Sequence, residues 1–232
     1  MVRRHARMAF GPGALVFPGG RVEPDDHDPA WAAHTLGWEK VPAPERAPRI
    51  SALRETFEES GILLARSSDG RWSVDPSAAE TRGDIAGGRR EFLDLVRTLG
   101  LTLDLEAAAP FARWITPAHM SKRFDTHFYV AHGPDAQLAA ADGWETVEAE
   151  WIAPAEALRL GETGERKLMF PTRLNLQLLQ QSRDAASAVA AARKRVIVPV
   201  QPRLERRETG DVVVIPAEAG YGLTEAPASV LA

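Results

Sequence analysis

The 232-residue chain has no cysteine at all. That absence excludes a disulfide framework, a thiolate zinc site and a cysteine nucleophile, and it fits a reducing, cytoplasmic setting. Long apolar runs are also missing: none approaches the roughly 18–20 residues of a membrane span, so no membrane partner is expected. Nor is there a large charge of one sign. The formal net charge is −4, which argues against a nucleic-acid coat. The first 22 residues hold no acid and four arginines, Arg3, Arg4, Arg7 and Arg21, the charge pattern of a targeting peptide. Yet Gly11, Pro12, Gly13, Pro18, Gly19 and Gly20 interrupt both the apolar core of a signal peptide and a transit helix, so this segment is expected to belong to the fold.

What is present reads as a globular α+β chain. Hydrophobic residues make up 44% and charged residues 26%, and the length suffices for a substantial core. A short apolar strand at 14–17 is closed by Pro18-Gly19-Gly20. Residues 24–49, with five prolines and two tryptophans, read as an inserted loop with a helical turn near 29–35. Helical spacing then runs from Ile50 to Ser60, with Ile50, Leu53 and Phe57 on one stripe and Gly61 as the stop. Residues 66–88 read as a polar surface excursion, and Glu91–Leu99 as a helix. Strands are expected at 111–116, 126–132 and 146–152. Helices are expected at 156–160, 172–182 and 184–195, the last closed by Arg193, Lys194 and Arg195 as a complement to its dipole. The tail holds two β-branched runs, VIVPV and DVVVIP, read as a hairpin or a pair of edge strands.

Chemistry concentrates between Arg54 and Ile62. At about 3.6 residues per turn, Glu55, Glu58 and Glu59 project from one helix face, while Leu53 and Phe57 form a separate core stripe. Arg54 stands one turn before Glu58, placed to orient it. Three crowded carboxylates repel unless something positive lies among them. A hard divalent cation, Mg²⁺ or Mn²⁺, takes oxygen ligands and keeps waters that phosphates can replace. The Gly19-Gly20 turn upstream lets backbone groups approach a metal or phosphate closely.

These residues resemble the Nudix hydrolase family. Its pattern is a glycine, five residues, a glutamate, seven residues, then Arg-Glu-apolar-any-Glu-Glu-any-Gly-apolar. Arg54 to Ile62 meets the second half, with Thr56 at a usually aliphatic place, and Phe17-Pro18-Gly19-Gly20 meets the approach to the first. The spacing departs: Gly20 to Arg54 is thirty-four steps where the family has fourteen. Counting six on from Gly20 gives Asp26 rather than Glu, and Glu23 is a second candidate for the first acid.

An insertion at this point characterises a coenzyme A diphosphatase subgroup of the family. Residues 5–23, and Trp114 to Pro117 followed by Lys122 to Tyr129, look like that subgroup, so the resemblance spans about residues 3–182. The resemblance implies an α/β/α sandwich with a mixed sheet over residues 1–182, interrupted at about 24–49, with 183–232 as a helix-and-strand extension packed on the same domain. The family usually has a strand before the one at Val2–His5, so the sheet is expected to be short by a strand or the start misplaced.

The resemblance further implies metal-assisted hydrolysis of a diphosphate in a nucleotide, with coenzyme A or an acyl derivative cut to 3′,5′-ADP and 4′-phosphopantetheine. Glu58 and Glu59 would be metal ligands, Glu55 a ligand or general base, Arg54 its orienting partner, and the Gly20 carbonyl a further contact. Arg4, Arg7, Lys122 and Arg123 are the candidates for substrate phosphates, since arginine forks suit phosphate oxygens. Glu148 and Glu150 are candidates for a further acid. A stricter coenzyme A pattern expects arginine where Ala9 stands. ADP-ribose, NADH or a nucleoside triphosphate is therefore the alternative substrate, and a catalytically silent nucleotide-binding module the alternative of another class. His119 and His127 lack metal spacing and read as structural. Trp31 and Trp38 read as packing for the insertion, with adenine stacking as the other use.

Overall fold

The computed structural model describes residues 1–231 except 74, 118, 119, 121 and 209. In chain order the strands are β1 (Val2–Arg4), β2 (Leu15–Val16), β3 (Thr35–Leu36), β4 (Ala65–Arg66), β5 (Thr102–Asp104), β6 (Ala109–Ile115), β7 (Asp125–Val130), β8 (Thr146–Ala149), β9 (Arg203–Arg207), β10 (Gly210–Val214) and β11 (Glu225–Pro227). The helices are α1 (Ala43–Ser60), α2 (Pro76–Ala86), α3 (Phe92–Thr98), α4 (Pro154–Glu162), α5 (Phe170–Leu179) and α6 (Ala185–Lys194). Two compact units result, one from Met1–Ala108 with Ala131–Trp151 and one from Ala109–Val130 with Ile152–Ala232. Among the described residues, no helix is long and apolar enough to cross a membrane.

In the first unit, β1 lies between β2 and β8, antiparallel to both, with Val2 opposite Val16 and Ala149. A second, mixed sheet sets β5 between β3, which runs parallel to it, and β4, which runs antiparallel. Helix α1 supplies much of the core. Ala47, Ile50, Leu53 and Phe57 recur at helical spacing and are all buried. Phe57 stacks on Phe92 of α3 at 5.9 Å, and Trp31 meets the same ring at 5.8 Å. Burying each large apolar side chain contributes roughly 1.5–3 kcal/mol, which fixes the helix that carries the acids. Gly61 ends it in the left-handed region, at φ 75°, where any Cβ would be strained.

Two stretches of this unit are α-helical where a loop was expected. The motif helix begins at Ala43 rather than Ile50, so residues 43–49 of the expected insertion are helical. Pro44 in the first turn has its φ set for a helix. Arg49 pairs with Glu45 at 2.7 Å and donates to the Leu105 carbonyl at 3.0 Å; these contacts offset the one backbone donor that Pro48 lacks. The expected surface excursion at 66–88 contains α2, started by Asp75, whose carboxylate accepts from the Ser77 amide at 2.9 Å. Its polar letters are a cap and an exposed face; Ala78 and Ile85, seven apart, are buried.

In the second unit β6 pairs with β7, and β9, β10 and β11 form an antiparallel meander. The tail hairpin is not built from VIVPV. Its first strand is the charged run Arg203–Arg207, paired with β10 from Arg207 opposite Gly210. Instead, Val200 bridges β6, donating to the Arg113 carbonyl and accepting from Ile115, each at 2.8 Å. Pro199 and Pro202 flank this single bridge and withhold the donors that a longer strand would need. Trp114, Phe170, Leu174, Val200, Val213 and Ile215 share this unit's core.

Candidate active site

Arg54 is the hub of the first unit's polar centre. Its guanidinium grips Asp26 bidentately, Nε to Oδ1 and Nη2 to Oδ2, both at 3.0 Å. Nη1 donates to Glu55 Oε1 at 2.9 Å and to Glu58 Oε1 at 3.0 Å, and Nη2 also reaches the Arg21 carbonyl at 2.8 Å. Asp26, only 2% exposed, takes the Glu23 amide on the same Oδ2 at 2.8 Å. The acid at six past Gly20 is thus the one joined to the motif arginine, and Glu23 contributes its backbone.

The glycine turn meets the helix directly. The Gly19 amide donates to Glu59 Oε2 at 2.9 Å, and a Cβ on Gly20 would run into the Glu55 carboxylate. Only glycine leaves room for that carboxylate. Burial pushes the Glu59 carboxyl up to about 8, with the Gly19 amide opposing and the Glu55 charge adding to the rise. Burial likewise raises Glu55 to about 7 against the pull of Arg54, and Glu58 moves up for the same reason. One acid from outside the helix joins them: the Glu145 charge raises all three.

Helices leave their last carbonyls without internal partners. At the end of α1 each finds one. Gly61 donates to the Phe57 carbonyl at 2.8 Å, Arg82 Nε to Glu58 at 2.8 Å, Thr146 Oγ1 to Glu59 at 3.1 Å and the Ala140 amide to Ser60 at 2.9 Å. The segment before β8 is itself tightly tied, with Asp142 Oδ1 accepting from the amides of Trp144, Glu145 and Thr146. His5 donates to the Glu145 carbonyl at 2.8 Å. Glu145 therefore stands on a fixed loop registered to both β1 and the motif helix.

The sequence candidates divide accordingly. Gly20, Arg54, Glu55, Glu58 and Glu59 come together. Arg4 is near them, since its charge opposes the rise of the Glu59 carboxyl, and its Nε donates to the Phe10 carbonyl at 3.1 Å. Arg7 is exposed and contacts His5 on the same hairpin. Glu148 pairs with Arg3 at 2.7 Å across β1 and β8, and Glu150 lies beyond the end of β8. Lys122 and Arg123 are exposed in the second unit. His127, in that unit, is 3.7 Å from Asp125, which Arg113 holds; His119 lies outside the described residues. Trp31 is buried, its indole donating to the Asp25 carbonyl at 2.9 Å, so it is packing and not a base platform. Trp38 lies under the Arg46 guanidinium. Sequence reasoning missed Glu145, because strand alternation drew attention to 148 and 150. The Asp142-Gly143 turn before it was the available signal.

Among the described residues, no three acidic or imidazole side chains stand in a ready-made metal cage: Glu55 and Glu58 share one nitrogen of Arg54, and Glu59 faces the glycine turn. The donor set nevertheless fits a hard divalent cation. It offers only oxygen, Glu59 is buried and Glu55 and Glu58 half-buried, and its members carry a desolvation and repulsion cost that a positive ion would relieve. Glu55, Glu58 and Glu59 would hold such an ion, in competition with Arg54 for the first two.

Residues 33–177 match the NUDT19 Nudix domain family. The chain is 26% identical over 201 residues to the acyl-coenzyme A diphosphatase NUDT19 of Xenopus laevis, covering 68% of this chain and 53% of the relative. It is 30% identical over 217 residues to the NUDT19 protein of Gallus gallus, covering 73% and 57%. A putative nudix hydrolase 7 of Caenorhabditis elegans is 30% identical over 184 residues, covering 79% and 56%. The chain thus spans a little over half the length of these curated relatives. The crystal structure of a NUDIX hydrolase from Alicyclobacillus acidocaldarius matches with a TM-score of 0.71 at 29% identity, covering 82% of this chain and 86% of that one.

Proposed function

This chain belongs to the NUDT19-type Nudix domain family, and from that premise we propose that it hydrolyses the diphosphate linkage of a nucleoside diphosphate derivative. The substrate is coenzyme A or an acyl-coenzyme A, cut to 3′,5′-ADP and (acyl-)4′-phosphopantetheine. One observation carries the reading: three glutamates on the last turns of α1, of which Glu55 and Glu58 are half-buried and held by Arg54 while the buried Glu59 takes the Gly19 amide, set against a turn whose Gly20 leaves no room for a side chain. A bound Mg²⁺ or Mn²⁺ would neutralise phosphate charge and polarise the scissile bond.

The residues themselves do the positioning. Arg54 fixes Glu55 and Glu58 through a single nitrogen, so the two carboxylates keep one geometry. Glu55 Oε2, the oxygen to which Arg54 does not donate, takes the proton of the attacking water. Arg4, beside Glu59, meets the diphosphate from the β1 side, with Arg7 on the same exposed hairpin. Ala9, where a stricter coenzyme A pattern has arginine, favours a second reading in which ADP-ribose, NADH or a nucleoside triphosphate is cleaved by the same residues.

Mass-spectrometric product analysis with Mg²⁺ across coenzyme A, an acyl-coenzyme A, ADP-ribose, NADH and a nucleoside triphosphate tests both. Release of 3′,5′-ADP, lost in Glu59→Gln, is expected. Cleavage of a different diphosphate would transfer the assignment to the second reading. No turnover of any of them by folded protein would overturn the enzymatic one in favour of a nucleotide-binding module.

A further inference from the structure

Glu58 and Glu59 occupy the last turn of α1, where a helix ordinarily frays because its final carbonyls lack partners. Ligands on a fraying turn would hold an ion poorly. Here that turn is closed from outside, and one closing group is charged. Arg82, on α2, donates Nε to the carbonyl of Glu58 itself at 2.8 Å. A Cβ at the left-handed Gly61 would stand 3.3 Å from Arg82 Nη1, so the guanidinium is packed against the stop of the helix. The charges around it are Asp142, Glu59 and Glu58. Its Nη2 is buried and makes no hydrogen bond. A partly desolvated guanidinium with an unused donor costs stability, and a simple helix cap would not need one; a neutral donor such as the Thr146 hydroxyl closes the neighbouring carbonyl at lower cost.

We propose that Arg82 is a positioning residue for the cation site: by holding the Glu58 carbonyl it keeps the last turn of α1 wound, so that the Glu58 carboxylate stays on Arg54 while Glu59 stays on the Gly19 amide. It touches neither substrate nor ion. The segment that sequence patterning assigns to a surface excursion thereby takes part in the chemistry.

The sign of one measurement separates positioning from charge. A cation beside a cation site repels the ion, so if Arg82 acted through charge alone, Arg82→Met would tighten Mn²⁺ binding. Positioning predicts the reverse: binding of Mn²⁺ alone, measured by calorimetry on the full chain without substrate, weakens about tenfold in Arg82→Met, the scale of a lost supporting contact. Amide exchange at Ser60 and Gly61 should accelerate with it, and Arg82→Lys, which can still donate one hydrogen bond, should recover part of both. Mn²⁺ affinity that is unchanged or tighter in Arg82→Met, even with faster exchange, would overturn the proposal and leave Arg82 a plain cap. If Arg82→Met fails to fold, Arg82→Lys decides alone, because it keeps the charge and shortens the reach: binding equal to that of the unaltered chain would sink the role. The inference rests on Glu58 and Glu59 as cation ligands. Loss of that reading has its own signature, an unaltered chain that binds no Mn²⁺ or binds it equally well as Glu59→Gln.

Discussion

Replacing Glu59 by glutamine should stabilise the cation-free protein while abolishing its chemistry, and pH should govern how much. The ordinary value of this carboxyl is 4.5, and burial raises it to about 8 in the fold. The folded chain therefore holds the proton more tightly than the unfolded one between those values. Stability is undiminished below about pH 4.5 and falls as pH rises through the window, reaching its full loss above about pH 8. At about 1.4 kcal/mol per pKa unit, the ceiling on that loss is roughly 5 kcal/mol. Glutamine mimics the protonated acid, and its carbonyl oxygen can still accept the Gly19 amide. The variant should thus match the unaltered chain near pH 5 and exceed it by about 2–4 kcal/mol near pH 8.5. For a chain of this size each kcal/mol moves Tm by about 2–4 °C, so a gain of order 5–15 °C is expected. Thermal unfolding followed by circular dichroism in a chelator, at both pH values, reads it directly. Adding Mg²⁺ should then reverse the order, since only the unaltered chain gains a ligand that favours the fold. A Tm difference that is the same at both pH values, or a variant less stable at the higher one, would refute the account of Glu59 as a buried, uncompensated acid.

Gly20→Ala should lower kcat at least tenfold with little change in Tm, because its Cβ displaces the Glu55 carboxylate; steady-state kinetics with coenzyme A checks it, and the same change at Gly19, where nothing lies within 4 Å, should cost much less. Asp26→Asn keeps the shape of the Arg54 clamp but removes the charge opposite a half-buried guanidinium, so urea unfolding should show a loss of about 1.5–3 kcal/mol. In the same variant Arg54 should lean harder on Glu55 and Glu58, and half-saturation with Mg²⁺ should rise.

The parts of the structure that could be read in advance were those set by local periodicity. Ile50, Leu53 and Phe57 announce the core face of α1, and Glu55, Glu58 and Glu59 its acidic face, because 3.6 residues per turn is fixed by the backbone. What escaped depends on partners distant in sequence. The start of α1 is carried past Pro48 partly by a hydrogen bond from Arg49 to Leu105, which no window of sequence contains. The VIVPV run has strong strand propensity, yet two prolines confine it to one bridge while the charged RLERR pairs along its length; β-propensity describes fit to a neighbouring strand, and the neighbour was hidden. Glu145 escaped for a related reason. It is placed by Asp142 and Thr146 gripping backbone groups, a turn rather than a periodic element, so period-two reasoning pointed one turn too late.

The anomalous motif spacing has a physical resolution in the same terms. Arg54 grips Asp26, six past Gly20, with two hydrogen bonds, so the extra residues enter between the first acid and the arginine and leave the joined pair intact. Closing a segment of thirty-four steps rather than fourteen costs only about 0.8 kcal/mol of loop entropy, since that term grows with the logarithm of length. One charge-assisted, bidentate contact in a buried setting outweighs it. The insertion can then be packed by Trp31 against Phe92 without moving the carboxylates. A motif defined by letter counts is really a set of contacts, and the contacts from Gly19 and Gly20 to Glu59 and Glu55 tolerate any intervening length that lets Asp26 and Arg54 meet. Shortening the insertion between Pro29 and Gly37 should therefore cost stability through the lost Trp31 packing, about 3–5 kcal/mol for removal of a buried aromatic, while the cation affinity of whatever remains folded stays close to that of the unaltered chain. Loss of Mn²⁺ binding from a folded, shortened chain that retains the Arg54–Asp26 pair would show that the inserted residues shape the site themselves.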